Sequence, residues 1–217
     1  MAKKDHCGNR SQRASRLARV PDLGYYLIFT DTKGTEGNYI NGLKSALPEK
    51  LRGRLVIKVI DDIRTQDLIQ ECKNKSALYP QYSKSWIMFD RDEVPNFDKI
   101  IQNAAKVGIC TAWSNRCLEV WFGAYFQDMS YFETSEACWK HFAKVFKQKT
   151  GKDYKKSDVE IYNLLRRYGD EDAAIVRAKN KYNSLKNTKD NPSDMNPCST
   201  VYLLVDEIQR VAKLNNY

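Results

Sequence analysis

Histidine is scarce in this 217-residue chain, Cys-x-x-Cys pairs are missing, and no apolar run is long. Of the two histidines, His6 lies in a basic segment and His141 in Lys140-His141-Phe142. Neither is placed as the base of a nucleophilic triad, and His141 reads as a surface or half-buried residue. The six cysteines are Cys7, Cys72, Cys110, Cys117, Cys138 and Cys198. Their spacing argues against a structural zinc site. The first residues are basic and polar without an apolar core segment, so no secretory signal is expected, and the thiols are expected reduced in a cytoplasmic protein. No stretch approaches the roughly 20 apolar residues of a membrane helix, so no membrane partner is expected. GxSxG, GxGxxG and P-loop patterns are missing too, and Gly34-Thr35-Glu36-Gly37 is too short to cradle a nucleotide. Neither an internal repeat nor a low-complexity segment occurs.

What the chain does have is apolar content and positive charge. Hydrophobic residues make up 42%, enough for a sizeable core. Lys and Arg number 36 against 27 Asp and Glu, a net charge of +9. That balance favours a polyanionic partner, nucleic acid first. Residues 1–20 form a basic arm with Lys3, Lys4, Arg10, Arg13, Arg16 and Arg19 against one acid, Asp5. Arg13 and Arg16 are candidate phosphate contacts; the alternative is a solvated tail.

Beyond Gly24 the pattern alternates. Tyr25 to Thr30 reads as a strand, and Thr35 to Leu47 as a helix that Thr35 can cap and Pro48 ends, weakened by Gly37 and Gly42. Leu55 to Ile60 is a second strand, followed by a helix around Thr65 to Lys75. Trp86 to Phe89 is a third strand, with a helix near Phe97 to Val107, and Gly108 to Trp113 is a fourth. Such alternation predicts an α/β fold with a mostly parallel sheet of about four strands between helices. After Ser114 the texture changes: 131–150 and 155–188 look helical and basic, and Thr200 to Leu214 is an amphipathic helix. The domain reading is a basic arm over 1–20, an α/β unit over 21–130 and a helical C-terminal portion over 131–217.

The chemistry concentrates where the third strand ends. Ser85-Trp86-Ile87-Met88-Phe89-Asp90-Arg91-Asp92-Glu93 is an apolar run closing on carboxylates. In open α/β sheets, ligands bind beyond the carboxyl ends of the strands. Asp31 ends the first strand and Glu36 opens the next helix, so both can reach Asp90 and Asp92 on that edge. Clustered carboxylates repel unless a cation neutralises them, which makes Mg²⁺ or Mn²⁺ the natural occupant. Each residue has a plainer alternative. Glu36 can favour the helix dipole, Asp90 or Asp92 can cap or turn, and Asp61 and Asp62 read as loop residues. A receiver-like pocket with Asp90 as phosphoacceptor is a further alternative, since Asp-x-Asp alone has low specificity. Glu119, inside the otherwise apolar Cys117 to Phe122, costs energy to bury unless it is paired or binds a metal. Lys33 and Arg116 lie near the same edge and can meet phosphate.

These residues carry a family resemblance. Asp31, Gly34-Thr35-Glu36 with Asn38-Tyr39, Phe89-Asp90-Arg91-Asp92, Ser114-Asn115-Arg116-Cys117-Leu118-Glu119-Val120-Trp121, Asn196-Pro197 and Ser199-Thr200-Val201-Tyr202 follow in the order of the RloB family. That family comprises Toprim-like proteins of restriction and abortive-infection loci, and the likeness covers nearly the whole chain past the arm. It implies a Toprim fold binding Mg²⁺ through a strand 1 carboxylate and the Asp-x-Asp. By position, Asp90 and Asp92 take the second role. The family usually has Glu-Gly where this chain has Asp31-Thr32, and Asp31 is one methylene shorter. Glu36 keeps the Thr-Glu pattern, Arg116 stands where proline is typical, and Tyr125 where histidine is common.

The expected function is a metal-dependent nuclease of antiviral defence that cleaves phosphodiesters, with RNA, including tRNA, preferred over DNA. Asp31, Glu36, Asp90 and Asp92 are the expected metal ligands. Glu36, Asp90, Asp92 and Glu119 are the catalytic candidates, and Lys33, Arg116, Arg13 and Arg16 the nucleic-acid contacts. The alternative is a non-catalytic nucleic-acid-binding effector acting with a partner ATPase. A homo-oligomer is left open.

Overall fold

The computed structural model describes residues 23–31, 34–52, 54–78, 84–92 and 94–215. The basic arm with Arg13 and Arg16, and also Lys33, lie outside the described residues.

The expected parallel sheet is present with one strand more than predicted. Strands β1 (Gly24–Thr30), β2 (Leu55–Ile60), β3 (Lys84–Asp90), β4 (Cys110–Asn115) and β5 (Cys198–Ser199) form one sheet in the order β2-β1-β3-β4-β5. The first four run parallel, and β5 is antiparallel to β4 through Ser114 opposite Ser199 and Asn115 opposite Cys198. A two-residue strand has no periodicity to read, which is why it escapes the sequence pattern. The fourth strand also begins two residues later than expected. Gly108, at φ +73°, turns the chain after helix α3 (Phe97–Lys106), so Gly108 and Ile109 belong to the turn.

Both sheet faces are buried, which explains why the strands read as continuous apolar runs. Leu27, Phe29, Ile87, Phe89 and Trp113 point to one face and share a core with Leu68 and Cys72 of α2 (Leu68–Leu78) and with Phe97 and Ile100 of α3. Tyr26, Ile28, Trp86, Met88 and Ala112 point to the other and meet Tyr39, Ile40 and Leu43 of α1 (Thr35–Ser45). A single turn of 3-10 helix at Thr65–Asp67 precedes α2, so the predicted helix there has two parts.

The C-terminal portion packs into the α1 side of that core. Helices α4 (Glu119–Ala124), α5 (Ser135–Thr150), α6 (Ile161–Tyr168), α7 (Glu171–Leu185) and α8 (Val201–Leu214) contribute Trp121, Phe142, Leu165, Ala174 and Leu204 to it. The stretch 155–188, expected to be helical throughout, is divided. Gly151 (φ +73°) closes α5, residues 151–160 form a loop, and Gly169-Asp170 separates α6 from α7. Asp170 accepts a hydrogen bond from the Ala173 backbone NH at 2.9 Å and caps α7. Gly42 is required by packing: a Cβ there would lie 2.5 Å from Tyr162 Cβ, so glycine lets α1 settle against α6. Among the described residues no helix is long and apolar enough to cross a membrane.

Candidate functional site

The strand order reverses between β1 and β3, since the chain goes from β1 out to β2 and crosses back to β3. Ligands in open α/β sheets settle in the crevice at such a reversal, beyond the carboxyl ends of the strands. Asp31 follows β1 directly and Asp90 ends β3, so the two acids flank that crevice. Glu36 comes from the first turn of α1 and Glu119 from the start of α4. Together with Asp92 these residues line one cleft of about 260 Å³. Five of the acids singled out in the sequence are therefore brought together.

Their environments differ. Asp31 Oδ2 accepts a hydrogen bond from Thr65 Oγ1 at 3.0 Å, while its Oδ1 is buried without a hydrogen-bond partner. Burial pushes the Asp31 carboxyl up to about 6, and the Thr65 hydrogen bond only partly opposes it. Asp90 keeps some solvent access through the cleft but is closely surrounded by protein. Burial first, then the negative charges of Glu36, Glu119 and Asp31, hold its carboxyl well above the usual range. The Leu118 backbone NH donates to Asp90 Oδ2 at 3.0 Å and fixes its direction. Glu36 and Glu119 are 4% and 3% exposed, so both are inside the wall rather than on the surface. Asp92 is exposed at the rim; its NH donates to the Arg116 carbonyl at 3.1 Å, as the Arg91 NH does to the Ser114 carbonyl at 2.8 Å. These two bonds tie the turn after β3 to the end of β4.

One expectation changes, at Thr35, and Arg116 and Tyr125 lie outside the cleft lining. Thr35 does not cap α1; its hydroxyl donates instead to the Lys156 carbonyl at 2.8 Å, and Asn38 Nδ2 donates to the Ser157 carbonyl at 3.0 Å. Arg116 is not in the cleft lining: its Nε donates to the Phe132 carbonyl at 3.4 Å. Tyr125 is fully buried away from the cleft, where its hydroxyl shares a 2.8 Å bond with Tyr39 and donates to Glu171 at 2.9 Å. His141 is exposed, with Nε2 2.9 Å from Gln127 Nε2.

One residue behind the cleft wall and one in its lining had no sequence signal. Tyr154 donates its hydroxyl to Glu119 Oε1 at 2.8 Å, and its ring packs edge-on against Phe142 at 4.7 Å between centroids. Lys156 is the cation in the cleft lining among the described residues. Both come from the 151–160 loop, which the sequence pattern read in part as helix.

The donor set suits a hard divalent cation. Several carboxylates face one cavity, like charges oppose the ionisation of Asp90, and one buried carboxylate oxygen has no protein donor. As placed, the acids stand around the cleft; no three His, Cys, Asp or Glu side chains among the described residues close on a single point.

Residues 26–208 match the family model described as RloB-like protein. No curated protein and no solved structure matches the chain.

Proposed function

The chain belongs to the RloB-like family, and from that membership and the acidic cleft we propose a nuclease that depends on Mg²⁺ or Mn²⁺. It cleaves phosphodiesters in RNA in preference to DNA and serves antiviral defence on a Toprim-like scaffold. The observation that carries the reading is the meeting of Asp31, Glu36, Asp90, Asp92 and Glu119 in one cleft at the sheet's reversal point. The RNA preference and the defence role rest on the family resemblance, and the net charge of +9 agrees with a polyanionic substrate.

Asp31, Glu36, Asp90 and Asp92 are the residues that would hold the cation. When bound, such a cation supplies Lewis-acid charge that activates water and stabilises a phosphoryl group under attack. The rest falls to the chain itself. The Leu118 NH orients Asp90, and the Tyr154 hydroxyl holds Glu119 facing the cleft. Glu119 is positioned to accept a proton there. Lys156 offers the positive charge that steadies the scissile phosphate. Thr35 and Asn38 pin the loop carrying Lys156 against the start of α1.

The test is incubation of the pure protein with total RNA and plasmid DNA, with and without Mn²⁺. Cleavage is expected only with metal, and Asp90→Ala should lower it at least about a thousandfold with the fold intact. Undiminished cleavage by that variant overturns the mechanism. Calorimetry that detects no Mn²⁺ binding at millimolar metal would favour the non-catalytic effector reading with a partner ATPase.

A further inference from the structure

Three of the four tryptophans are core residues: Trp86, Trp113 and Trp121 are 3%, 3% and 0% exposed. Trp139, on α5, is only half-buried. The Lys156 ammonium lies 5.9 Å from its ring centroid and that of Lys140 lies 6.0 Å away. Lys140 is already paired with Glu136 at 2.6 Å, so it brings little net charge. Lys156 is exposed and forms no ion pair with a described residue. It also lines the acidic cleft, so one side chain joins the cleft to the tryptophan. Its neighbours Lys152 and Lys155 line a second, open cavity of about 590 Å³ that shares Ser157 with the cleft.

We propose that Trp139 is a stacking platform for an unpaired base of single-stranded nucleic acid whose backbone passes Lys155 and Lys156 into the acidic cleft. The inference rests on the nucleic-acid reading above and narrows it to single strands. An aromatic face beside mobile cations matches both parts of a nucleotide, the base by stacking and the phosphate by charge. A base arriving on the ring displaces the Lys156 ammonium from a weak, solvent-exposed contact toward the incoming phosphate. A duplex keeps its bases stacked inside and offers nothing to the ring. Stacking is indifferent to sugar, so RNA and DNA strands share this contact.

The experiment uses intrinsic fluorescence of the full chain in EDTA, titrated with unlabelled single strands of about 12 nucleotides, within the usual site sizes of such grooves. Because the other tryptophans are buried, quenching reports on Trp139. Saturable quenching is expected with single-stranded RNA and DNA and not with a duplex of equal length. Trp139→Leu should lose the quenching and bind about tenfold more weakly by anisotropy, with Trp139→Phe in between. Binding without quenching, equal quenching by duplex, no binding of single strands, or unchanged affinity in Trp139→Leu would each overturn the platform. The wild-type arms remain decisive if a variant fails to fold. With metal absent, the result is independent of cleavage: quenching without any Mn²⁺-dependent cleavage sinks the nuclease reading alone, and cleavage without quenching sinks the platform alone.

Discussion

Two carboxylates in this fold, the buried Glu171 and the half-buried Asp31, live under opposite conditions. Glu171 opens α7 and is 8% exposed. Its Oε2 accepts from Tyr125 at 2.9 Å and its Oε1 from Arg166 at 3.1 Å. The network extends to Tyr39 and Tyr162, and Gln209 donates to the Tyr162 hydroxyl at 3.2 Å. Burial raises the Glu171 carboxyl, while the Arg166 charge and the tyrosine hydroxyls pull it back. Across α1, Asp31 has a single hydroxyl donor, a bare oxygen and other carboxylates for company. A buried polar network with every member satisfied rigidifies a core, whereas a cluster of like charges is retained at a cost and marks a binding site. A carboxylate is therefore a satisfied structural group in one place, and in the other has the surroundings that the proposed cation site requires.

The widest separation comes from Asp90→Ala set against Arg166→Met. The first should remove metal-dependent cleavage and leave stability unchanged or higher, because it takes away a repelled carboxyl. The second should lower stability by about 2 kcal/mol by stripping Glu171 of its cation, and leave Mn²⁺ affinity unaltered. Fully buried pairs cost more to break, but the Arg166 side chain is 47% exposed and solvent screens part of the charge. Chemical denaturation beside Mn²⁺ calorimetry checks both. If Arg166→Met weakens metal binding as much as it weakens the fold, the two regions are not separate.

Asp90 and Asp31 were legible in the sequence because strand ends announce themselves: Phe89-Asp90 is an abrupt change from apolar to acidic, and Asp31 closes the β-prone run Tyr25 to Thr30. The parallel sheet that aligns them was legible from the alternation of strands and helices. The network around Glu171 was not, since Tyr39, Arg166 and Glu171 come from three helices, Tyr125 follows a fourth, and no local pattern links them. Tyr154 was hidden for the same reason. The break in 155–188 did have a signal in Gly169-Asp170. A helical reading of the flanking residues outweighed it, although a Cβ at Gly169 would lie 2.8 Å from Tyr125 Cβ and 2.9 Å from the Leu165 carbonyl.

An effect on stability of similar size and opposite sign is expected at Asp31. Its carboxyl is raised from 3.8 to about 6, so the folded state binds this proton more tightly than the unfolded chain does. Stability contributed by this group is then present at low pH and falls as pH rises from about 4 to about 6. Asp31→Asn removes the charge and keeps an oxygen for Thr65. In EDTA it should gain on the order of 2 kcal/mol above pH 6 and nothing below pH 4. Denaturation curves at the two pH values decide it; a variant no more stable at pH 8 than at pH 4, relative to wild type, would mean the bare oxygen carries no cost.

Glu119 stands between the two cases and gives the finest test. It is as buried as Glu171, it faces the cleft as Asp31 does, and it accepts a 2.8 Å hydrogen bond from Tyr154. Tyr154→Phe deletes that donor and keeps the ring against Phe142 and Phe146. If Glu119 belongs with the satisfied region, the variant loses about 1–2 kcal/mol of stability and cleavage per folded molecule is untouched. If it belongs with the cleft, the larger change is in chemistry, and cleavage falls about tenfold at saturating substrate with Mn²⁺ affinity preserved. The placement of Glu119 in the cleft wall favours the second outcome. The fall should appear in kcat and not in KM, because in the proposed nuclease Tyr154 would aim Glu119 at the reacting centre and would not hold the strand. A Tyr154→Phe protein with wild-type kcat and lowered stability would move Glu119 to the structural side and leave Asp31, Glu36, Asp90 and Asp92 as the whole of the working site.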